Sequence, residues 1–376
     1  MAPRRANGEG SIYRRPNGSW SGIASLPDGR RKQIYGRSRD EVRRRLSEIL
    51  HSIEHGTLTD ARGTTVGEFL DQWLVEVAKP RVRAWTYAGY EVHIRRHLKP
   101  SIGRIALERL TPQHVQALLN QKLRDGLKPK TVRYLRGTLR TALNEAVRWG
   151  LIPRNAAALV DGPRVERYSI RPFTPEEARQ LLQAIRGDRL EALYSVALTM
   201  GLRQGEALGL RWDDVDLDIG YIRITKQLQR IHGSPQLVEP KTERSRRTIA
   251  MPPMIAEALK EHRARQDKDR AATRGRWVET GLVFTTPIGT PLDGTAVTKG
   301  FHRLLERAGL PQRRFHDLRH SCATLLLVQG VSPRVVMDLL GHSQIGLTMN
   351  TYSHVIPDLR SDAARRMQDL LQERDF

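Results

Sequence analysis

The sequence predicts a mainly helical, multidomain protein that also contains small β-sheets. Its 376 residues are enough for two or three domains, each with its own core. Apolar residues recur at three- and four-residue spacing over most of the chain, which predicts helices. Short alternating runs near residues 10–35 and 220–251, bounded by turn signals, predict strands.

Residues 1–60 are predicted to form a small domain of three strands and one helix. Turn signals at Pro16-Asn17-Gly18 and Pro27-Asp28-Gly29 separate runs rich in aromatic and branched residues, at 11–15, 19–25 and 31–35. Ser38-Arg39-Asp40-Glu41 has the capping-box pattern, and helical spacing follows it as far as Gly56. The basic side chains of the strands are Arg14, Arg15, Arg30, Arg31 and Lys32. They fit a strand surface that lies in a major groove, although a solvated basic surface explains them equally well.

Residues 64–160 are predicted to be entirely helical. Four helices are expected, at about 65–77, 86–97, 111–123 and 129–149. The last has an apolar face and an opposite basic face on which Glu145 is the only acidic interruption. The basic residues assigned to nucleic-acid contact are Lys130, Arg133, Arg136 and Arg140. Since a solvated helix normally interleaves both signs of charge, we expect this face to bind DNA.

Residues 161–172 are predicted to be a linker, residues 173–356 a third folded region, and residues 357–376 a C-terminal tail. Thr174-Pro175-Glu176-Glu177 supplies an N-cap, a proline at the first helical position and an acidic first turn. Strands are expected at 221–225, 236–239 and 248–251. Helices are expected up to about 210 and then near 253–268, 295–308, 317–329, 333–340 and 346–353.

The charge balance favours a polyanionic partner. Lys and Arg number 63 against 41 Asp and Glu, a net charge of +22, and residues 61–160 alone carry +11. Arginine-rich codon usage would also raise the charge, but it would not concentrate it. The single Cys322 forms no intramolecular disulfide, and no secretory signal or membrane-length apolar run is present, so we expect a cytoplasmic protein.

Six side chains in the second half have the chemistry needed to cut a phosphodiester without a metal. They are Arg203, Lys241, His316, Arg319, His342 and Tyr352. Arginine forks bind non-bridging oxygens and keep their charge, lysine or histidine can protonate the leaving oxygen, and a tyrosine hydroxyl can attack phosphorus. Any one of these residues alone is more often structural, so the interpretation depends on their occurring together.

The motifs around these six residues resemble those of the tyrosine recombinases, or phage-integrase family. The matching segments are Gly201–Leu210, Lys241–Ser245, His316–His320, Leu340–Ser343 and Thr351-Tyr352. The resemblance implies that Tyr352 forms a 3′-phosphotyrosyl bond, that Arg203 and Arg319 clamp the phosphate, and that Lys241 protonates the departing 5′ oxygen. It further implies acid–base transfer by His316, a phosphate hydrogen bond from His342 and a supporting role for Glu206. No cofactor or ATP is implied.

The resemblance also assigns roles to the rest of the chain. Residues 1–60 would bind arm sites in double-stranded DNA, residues 64–160 would bind core sites, and the linker would cross a clamp around the duplex. The protein would act as a homo-tetramer on DNA, weakly associated without it, with a possible DNA-bending or directionality factor. The tail would dock on a neighbouring subunit, or pack within its own.

Three alternatives remain open from the sequence. His316 with His320, and His93 with His97, have the i, i+4 spacing of zinc ligands, but neither pair is a His-Glu-x-x-His box, so no metal site is predicted. A type IB topoisomerase uses similar chemistry on DNA. A DNA-binding relative that has lost catalysis is a third possibility, against which the complete set of six residues argues.

Overall fold

A computed structural model of the chain divides it into two compact units, Met1–Glu166 and Arg167–Phe376. The residues that the structure describes are 10–25, 31–54, 63–166, 168, 170–240, 242–341, 367–368 and 371. Within them, helices predominate and the sheets are small, which confirms the predicted fold class. No helix among these residues combines the length and the apolar character required to cross a bilayer.

The N-terminal part of the first unit is a three-stranded antiparallel sheet covered by one helix. The elements are β1 (Ser11–Arg14), β2 (Trp20–Ser25), β3 (Arg31–Gly36) and α1 (Arg39–Glu54). Ala24, Ile34, Val42 and Leu46 form its buried core. A Cβ added at Gly22 would lie 2.8 Å from Val42, so glycine lets the helix approach the central strand.

The rest of the first unit is helical, as predicted. Its helices are α2 (Val66–Gln72), α3 (Lys79–Arg81), α4 (Ala84–His93), α5 (Lys99–Ile102), α6 (Pro112–Arg124) and α7 (Pro129–Arg148). A capping box joins Thr65 and Glu68 at the start of α2, and Thr111 caps α6. The apolar face predicted for α7 is buried at Val132, Leu135 and Leu139. The helical spacing of apolar residues in the sequence therefore identifies these core positions of α7 correctly.

Two predicted helices are interrupted by wide π-type turns, at Trp73–Ala78 and Ile94–Leu98. Each wide turn ends immediately before a Lys-Pro pair, Lys79-Pro80 and Lys99-Pro100. A proline ring inside a regular helix clashes with the carbonyl four residues earlier. The wide turn before each proline moves that carbonyl aside, so the chain continues as helix through both prolines.

The second unit is built on seven helices among its described residues. They are α8 (Pro175–Ala184), α9 (Glu191–Thr199), α10 (Gln204–Leu208), α11 (Pro253–Ala272), α12 (Gly294–Arg307), α13 (Asp317–Val328) and α14 (Pro333–Leu340). The rings of Tyr194, Phe301 and Phe315 meet with centroids 5.6 to 6.2 Å apart in its core. The predicted helix at 346–353 and nearly all of the tail lie outside the described residues.

Two small sheets accompany these helices. One has the order β4 (Val215–Asp216), β5 (Tyr221–Ile224) and β8 (Arg247–Ala250), and the other is a hairpin of β6 (Gln227–Ile231) and β7 (Ser234–Val238). Strands β4 and β6 were not predicted. The hairpin turns at His232 and Gly233, whose φ angles are 49° and 81°, and a histidine there is a weaker turn signal than the usual asparagine.

Candidate active site

Three consecutive residues at the end of α14, the last of them its C-cap Gly341, are held by three arginines from three separate segments. The carbonyl of Leu339 accepts a hydrogen bond from Arg247 Nε at 2.6 Å. The carbonyls of Leu340 and Gly341 accept from Arg319 Nη2 at 2.5 Å and from Arg203 Nη2 at 3.3 Å. The final carbonyls of a helix have no partner within the helix and carry partial negative charge, so guanidinium groups satisfy both needs.

Arg203 is brought to this position by the start of α10, where it is the N-cap residue. Its backbone N–H donates to Glu206 Oε2 at 3.0 Å, and its Nη1 donates to Glu206 Oε1 at 2.6 Å. About a third of its side chain remains exposed. The side chain is therefore fixed at one end and accessible at the other, as an anion-binding group must be.

Arg319 lies in the first turn of α13 and is only 2% exposed. Its Nη1 donates to the Gly201 carbonyl at 2.8 Å. Gly201 has a φ of +63°, and a Cβ there would lie 2.6 Å from a Leu340 methyl group, so only glycine fits between the two segments. Gly201, at the start of the motif that contains Arg203, therefore lets Arg319 come close enough to bond its carbonyl.

Glu206 is the carboxylate shared by this arginine group. It is 1% exposed and accepts from Arg247 Nη2 at 3.0 Å as well as from Arg203. Burial acts to raise the pKa of Glu206, but the charge of Arg247, followed by those of Arg203 and Arg319, lowers it to about 2. The carboxylate is therefore ionised throughout the neutral range.

His316 precedes α13 and is exposed. Partial desolvation of its ring lowers its pKa, and the charges of His320 and Arg319 bring it to about 4. Arg203 and Arg314 act in the same direction. The rings of His316 and His320 are perpendicular, with centroids 5.0 Å apart. At neutral pH, His316 is a neutral imidazole able to accept a proton.

A polar cluster supports the start of α13. Asp317 is fully buried and accepts from the Tyr168 hydroxyl at 2.7 Å and from the Arg314 backbone and side chain at 2.9 Å. The Arg314 guanidinium also lies 3.4 Å from the centre of the Tyr168 ring. Burial acts to raise the pKa of Asp317, but the hydrogen bonds from Arg314 and Tyr168 lower it.

Three of the six predicted residues, Lys241, His342 and Tyr352, lie outside the described residues. The structure does describe one residue next to Lys241 and one next to His342. Thr242 directly follows Lys241, and Gly341 directly precedes His342. A Cβ added at Gly341 would lie 3.1 Å from the Arg244 carbonyl, so the turn after Lys241 lies close to the residue before His342.

The predicted DNA-contacting residues divide between two surfaces of the first unit. On α7, Lys130, Arg133 and Arg140 are exposed, and Arg136 is partly exposed. In the sheet, side chains alternate between the two faces, so Arg31 lies on the face of Tyr13 and Tyr35, opposite to Arg14 and Lys32. The Arg15 guanidinium lies 4.8 Å from the Tyr35 ring centre. Arg30 lies outside the described residues.

Sequence reasoning missed Arg247 and the pairing of Asp317 with Tyr168. One signal for Arg247 was available. It alternates with Ile249 and Met251, which face the core, so a strand that includes it carries an arginine at an inward position. Nothing in the sequence links Tyr168 to Asp317, because they are far apart in the chain.

Known proteins resemble this chain over most of its length. The model of the phage integrase family matches residues 171–358, and that of its N-terminal SAM-like domain matches residues 65–123. A protein named tyrosine recombinase XerC-like, from Caldanaerobacter subterraneus subsp. tengcongensis, is 33% identical over 359 residues, covering 90% of this chain and 92% of that protein.

Solved structures share the fold at lower identity. The Tn1549 transposon integrase in complex with a circular intermediate DNA superposes with a TM-score of 0.67 at 22% identity, over 81% of this chain and 100% of that one. A lambda integrase tetramer bound to a Holliday junction gives 0.53 at 22% identity, over 91% and 97%. The family match and the 33% identity to the recombinase over 90% of this chain lead to one conclusion: the chain belongs to the phage integrase family of tyrosine recombinases.

Proposed function

We propose that this site-specific recombinase cuts and rejoins DNA through Tyr352 to integrate and excise a mobile element. One observation supports the assignment of the site above the others. Arg203 and Arg319, which come from separate motifs, both reach the end of α14, and the residue that follows this end is His342. Two guanidinium groups at one point suit the two non-bridging oxygens of a phosphodiester.

In the proposed reaction, the Tyr352 oxygen bonds to phosphorus while the bond from phosphorus to the 5′ oxygen breaks. Lys241 gives that oxygen its proton, so a free 5′-hydroxyl leaves and a 3′-phosphotyrosine remains. His316, neutral at physiological pH, accepts the proton that the Tyr352 hydroxyl loses. Attack by the 5′-hydroxyl of another strand reverses the step and exchanges the strands. His342 donates a hydrogen bond to the phosphate.

The positions of the arginines explain why their charges would be effective. Arg319 is almost wholly buried, and Glu206 fixes one edge of Arg203. Electrostatic stabilisation is stronger where water is excluded, and it costs little reorganisation when the groups are already held in place. Glu206 therefore acts on the reaction by orienting an arginine, without touching the DNA.

We further propose that DNA is bound at core sites by residues 64–160 and at arm sites by residues 1–60. Support comes from the basic, exposed side chains of α7 and from the outward face of the sheet, which carries Arg31 together with Tyr13 and Tyr35. The same proposal includes assembly as a homo-tetramer on DNA, with residues 357–376 docking on a neighbouring subunit. It also includes action in the bacterial cytoplasm, with help from a DNA-bending or directionality factor.

The test is covalent trapping on a nicked duplex that carries the junction sequence of the circularised element. Wild-type protein should give a protein–DNA adduct that survives denaturing electrophoresis, because the nick lets the 5′-hydroxyl fragment diffuse away. Tyr352→Phe should bind the duplex equally well and give no adduct, since phenylalanine has no oxygen to attack phosphorus. Tyr221→Phe, an exposed tyrosine on β5, is the matched control and should behave as wild type. Adduct formation by Tyr352→Phe would refute the assignment.

A further inference from the structure

Arg247 joins three separate segments of the second unit. Its Nη2 donates to Glu206 on α10 at 3.0 Å, its Nη1 donates to the Ser245 carbonyl at 3.0 Å, and its Nε donates to the Leu339 carbonyl at 2.6 Å. The side chain is only 7% exposed. A buried arginine with all three of its nitrogens engaged is a fixed structural connection.

Each of the three segments leads to a residue of the proposed reaction. Glu206 orients Arg203. Ser245 closes the short turn that begins one residue after Lys241, where its N–H bonds the Thr242 carbonyl at 2.9 Å. Leu339 lies two residues before Gly341, whose successor is His342. The proposed chemistry gives Arg247 no contact with DNA, so its function must be exerted through these neighbours.

We propose that Arg247 is a positioning residue for strand cleavage, which couples the phosphate-binding Arg203, the turn after Lys241 and the end of α14 into one arrangement. This inference rests on the proposed function, since it concerns the same reaction. It adds a residue that neither touches the DNA nor belongs to the six.

The chemistry of the guanidinium explains why arginine occupies this position. Three hydrogen bonds leave in three directions from one rigid plane, and a lysine ammonium on a flexible stem cannot reproduce that fork. The neighbouring Arg246 makes the contrast clear. The Arg246 side chain is about half exposed and pairs with Glu239 at 2.7 Å. It therefore carries the same charge at the adjacent position but lacks the buried contacts.

Arg247 also controls the charge state of its main partner. The charged groups that face Glu206 are Arg203 from the start of α10, Arg247 from β8 and Arg319 from α13, and Arg247 is the strongest of the three. Without it, burial is opposed only by the charges of Arg203 and Arg319, so the pKa of Glu206 should rise. A protonated Glu206 holds Arg203 less firmly, so cleavage by an Arg247 variant should fall as the pH decreases.

The experiment measures single-turnover cleavage of the same nicked duplex, with the full-length protein in saturating excess, from pH 5 to pH 8. Arg247→Gln should bind the duplex as wild type does but cleave about 100-fold more slowly, as expected when a reacting group is displaced by about 1 Å. Its cleavage rate should also fall at the acid end of this pH range (an acid limb), whereas the wild-type rate should not. Arg247→Lys should be slow without the acid limb, because its charge remains beside Glu206. Arg246→Gln should match wild type.

A double variant tests whether Arg247 acts through Glu206. If it does, Arg247→Gln combined with Glu206→Gln should cleave no more slowly than the slower single variant, and the acid limb should disappear. Thermal melting identifies any variant that is unfolded at the assay temperature. Should Arg247→Gln be unfolded, slow cleavage by folded Arg247→Lys supports the inference, and wild-type cleavage overturns it.

Two failures remain distinguishable. If wild type forms no adduct on the duplex, the proposed function itself fails. If wild type forms the adduct and folded Arg247→Gln cleaves at the wild-type rate, then Arg247 does not position the site. Slowing of Arg247→Gln that is equal at every pH would support positioning through the Ser245 and Leu339 contacts and rule out Glu206 as the route.

Discussion

At the scale of the residue, the second unit uses arginine both as a ligand for anions and as a structural clamp. Arg203, Arg247 and Arg319 all bond to the end of α14, and one carboxylate, Glu206, lies among them. Buried guanidinium groups without an anion would be strongly unfavourable. The buried glutamate therefore makes the arrangement possible in the absence of DNA.

Removal of the charge of Glu206 should destabilise the second unit. Glu206→Gln should lower the free energy of unfolding at pH 7 by about 3–5 kcal/mol, because it leaves buried arginine without its partner. The folded pKa of Glu206, about 2, lies below its ordinary value of 4.5, so its contribution is complete above pH 4.5 and is lost as the pH falls towards 2. Urea denaturation at pH 7 and at about pH 3 should show the difference between the two proteins shrinking in acid.

The matched control is Glu257→Gln, an exposed glutamate on α11 that pairs with Lys260 at 3.7 Å. It should change stability by less than about 1 kcal/mol, as exposed ion pairs do. An equal loss in both variants would mean that burial and shared charge do not distinguish Glu206.

How far the sequence predicted this site depends on the residue. Arg203 and Arg319 were identified by their motifs, and the structure brings both to the end of α14. The catalytic role of each of the six residues remains a prediction, and Lys241, His342 and Tyr352 also lie outside the described residues. Arg247 was missed because its function depends on three contacts that are distant in sequence, and the alternation of a strand shows only that it points inward.

At the scale of the element, helices were predicted well because their apolar period and capping residues are local signals. Prediction from the sequence failed at two kinds of element, helices that continue through a proline and a strand without a clear alternation of polar and apolar residues. Two wide turns carry the chain on as helix through Pro80 and Pro100, beyond residues 77 and 97 where the predicted helices end. Strand β6 has polar residues on both faces and follows a short, weakly marked connection, so neither alternation nor turn residues revealed it.

The contact between α10 and the missed strand β6 yields a prediction. A Cβ at Gly209 would lie 2.6 Å from the backbone nitrogen of Leu228 and 2.7 Å from the carbonyl carbon of Gln227. Backbone cannot give way as a side chain can. Gly209→Ala should therefore destabilise the second unit by about 1–3 kcal/mol or more, as overpacking does. Chemical denaturation measures the change.

Gly300→Ala on α12 is the control within the same unit. Its Cβ would meet only the Tyr194 hydroxyl, at an ordinary 3.4 Å. Alanine favours a helix over glycine by up to about 1 kcal/mol, so this variant should be neutral or slightly more stable. A Gly209→Ala protein as stable as Gly300→Ala would show that β6 does not pack tightly against α10.

At the scale of the whole molecule, charge and chemistry are concentrated in different parts of the chain. The most basic stretch lies in residues 61–160, whereas the arginine group lies in the second unit. Under the proposed function, this division separates affinity for the DNA backbone, which the exposed cations of residues 61–160 would supply, from reactivity at one phosphate, which the arginine group would supply.

The basic face of α7 should account for part of the salt dependence of DNA binding. Arg133→Gln combined with Arg140→Gln should weaken binding of duplexes of any sequence and lower the slope of log affinity against log salt by about 2, roughly one for each lost phosphate contact. Fluorescence anisotropy at several salt concentrations gives the slope. Arg179→Gln, an exposed arginine on α8 that pairs with Glu176, should leave it unchanged. An unaltered slope in the double variant would remove α7 from the DNA-binding surface.

The three arginine contacts at the end of α14 also set the reach of the residue proposed as nucleophile. Gly341 is anchored, and Tyr352 follows it by eleven residues. Eleven residues span at most roughly 36–40 Å, at about 3.3–3.6 Å per residue. Insertions or deletions between Gly341 and Tyr352 should therefore change which strand the phenol can reach, whether in its own subunit or in an adjacent one, and should leave Arg203, Arg247 and Arg319 where they are.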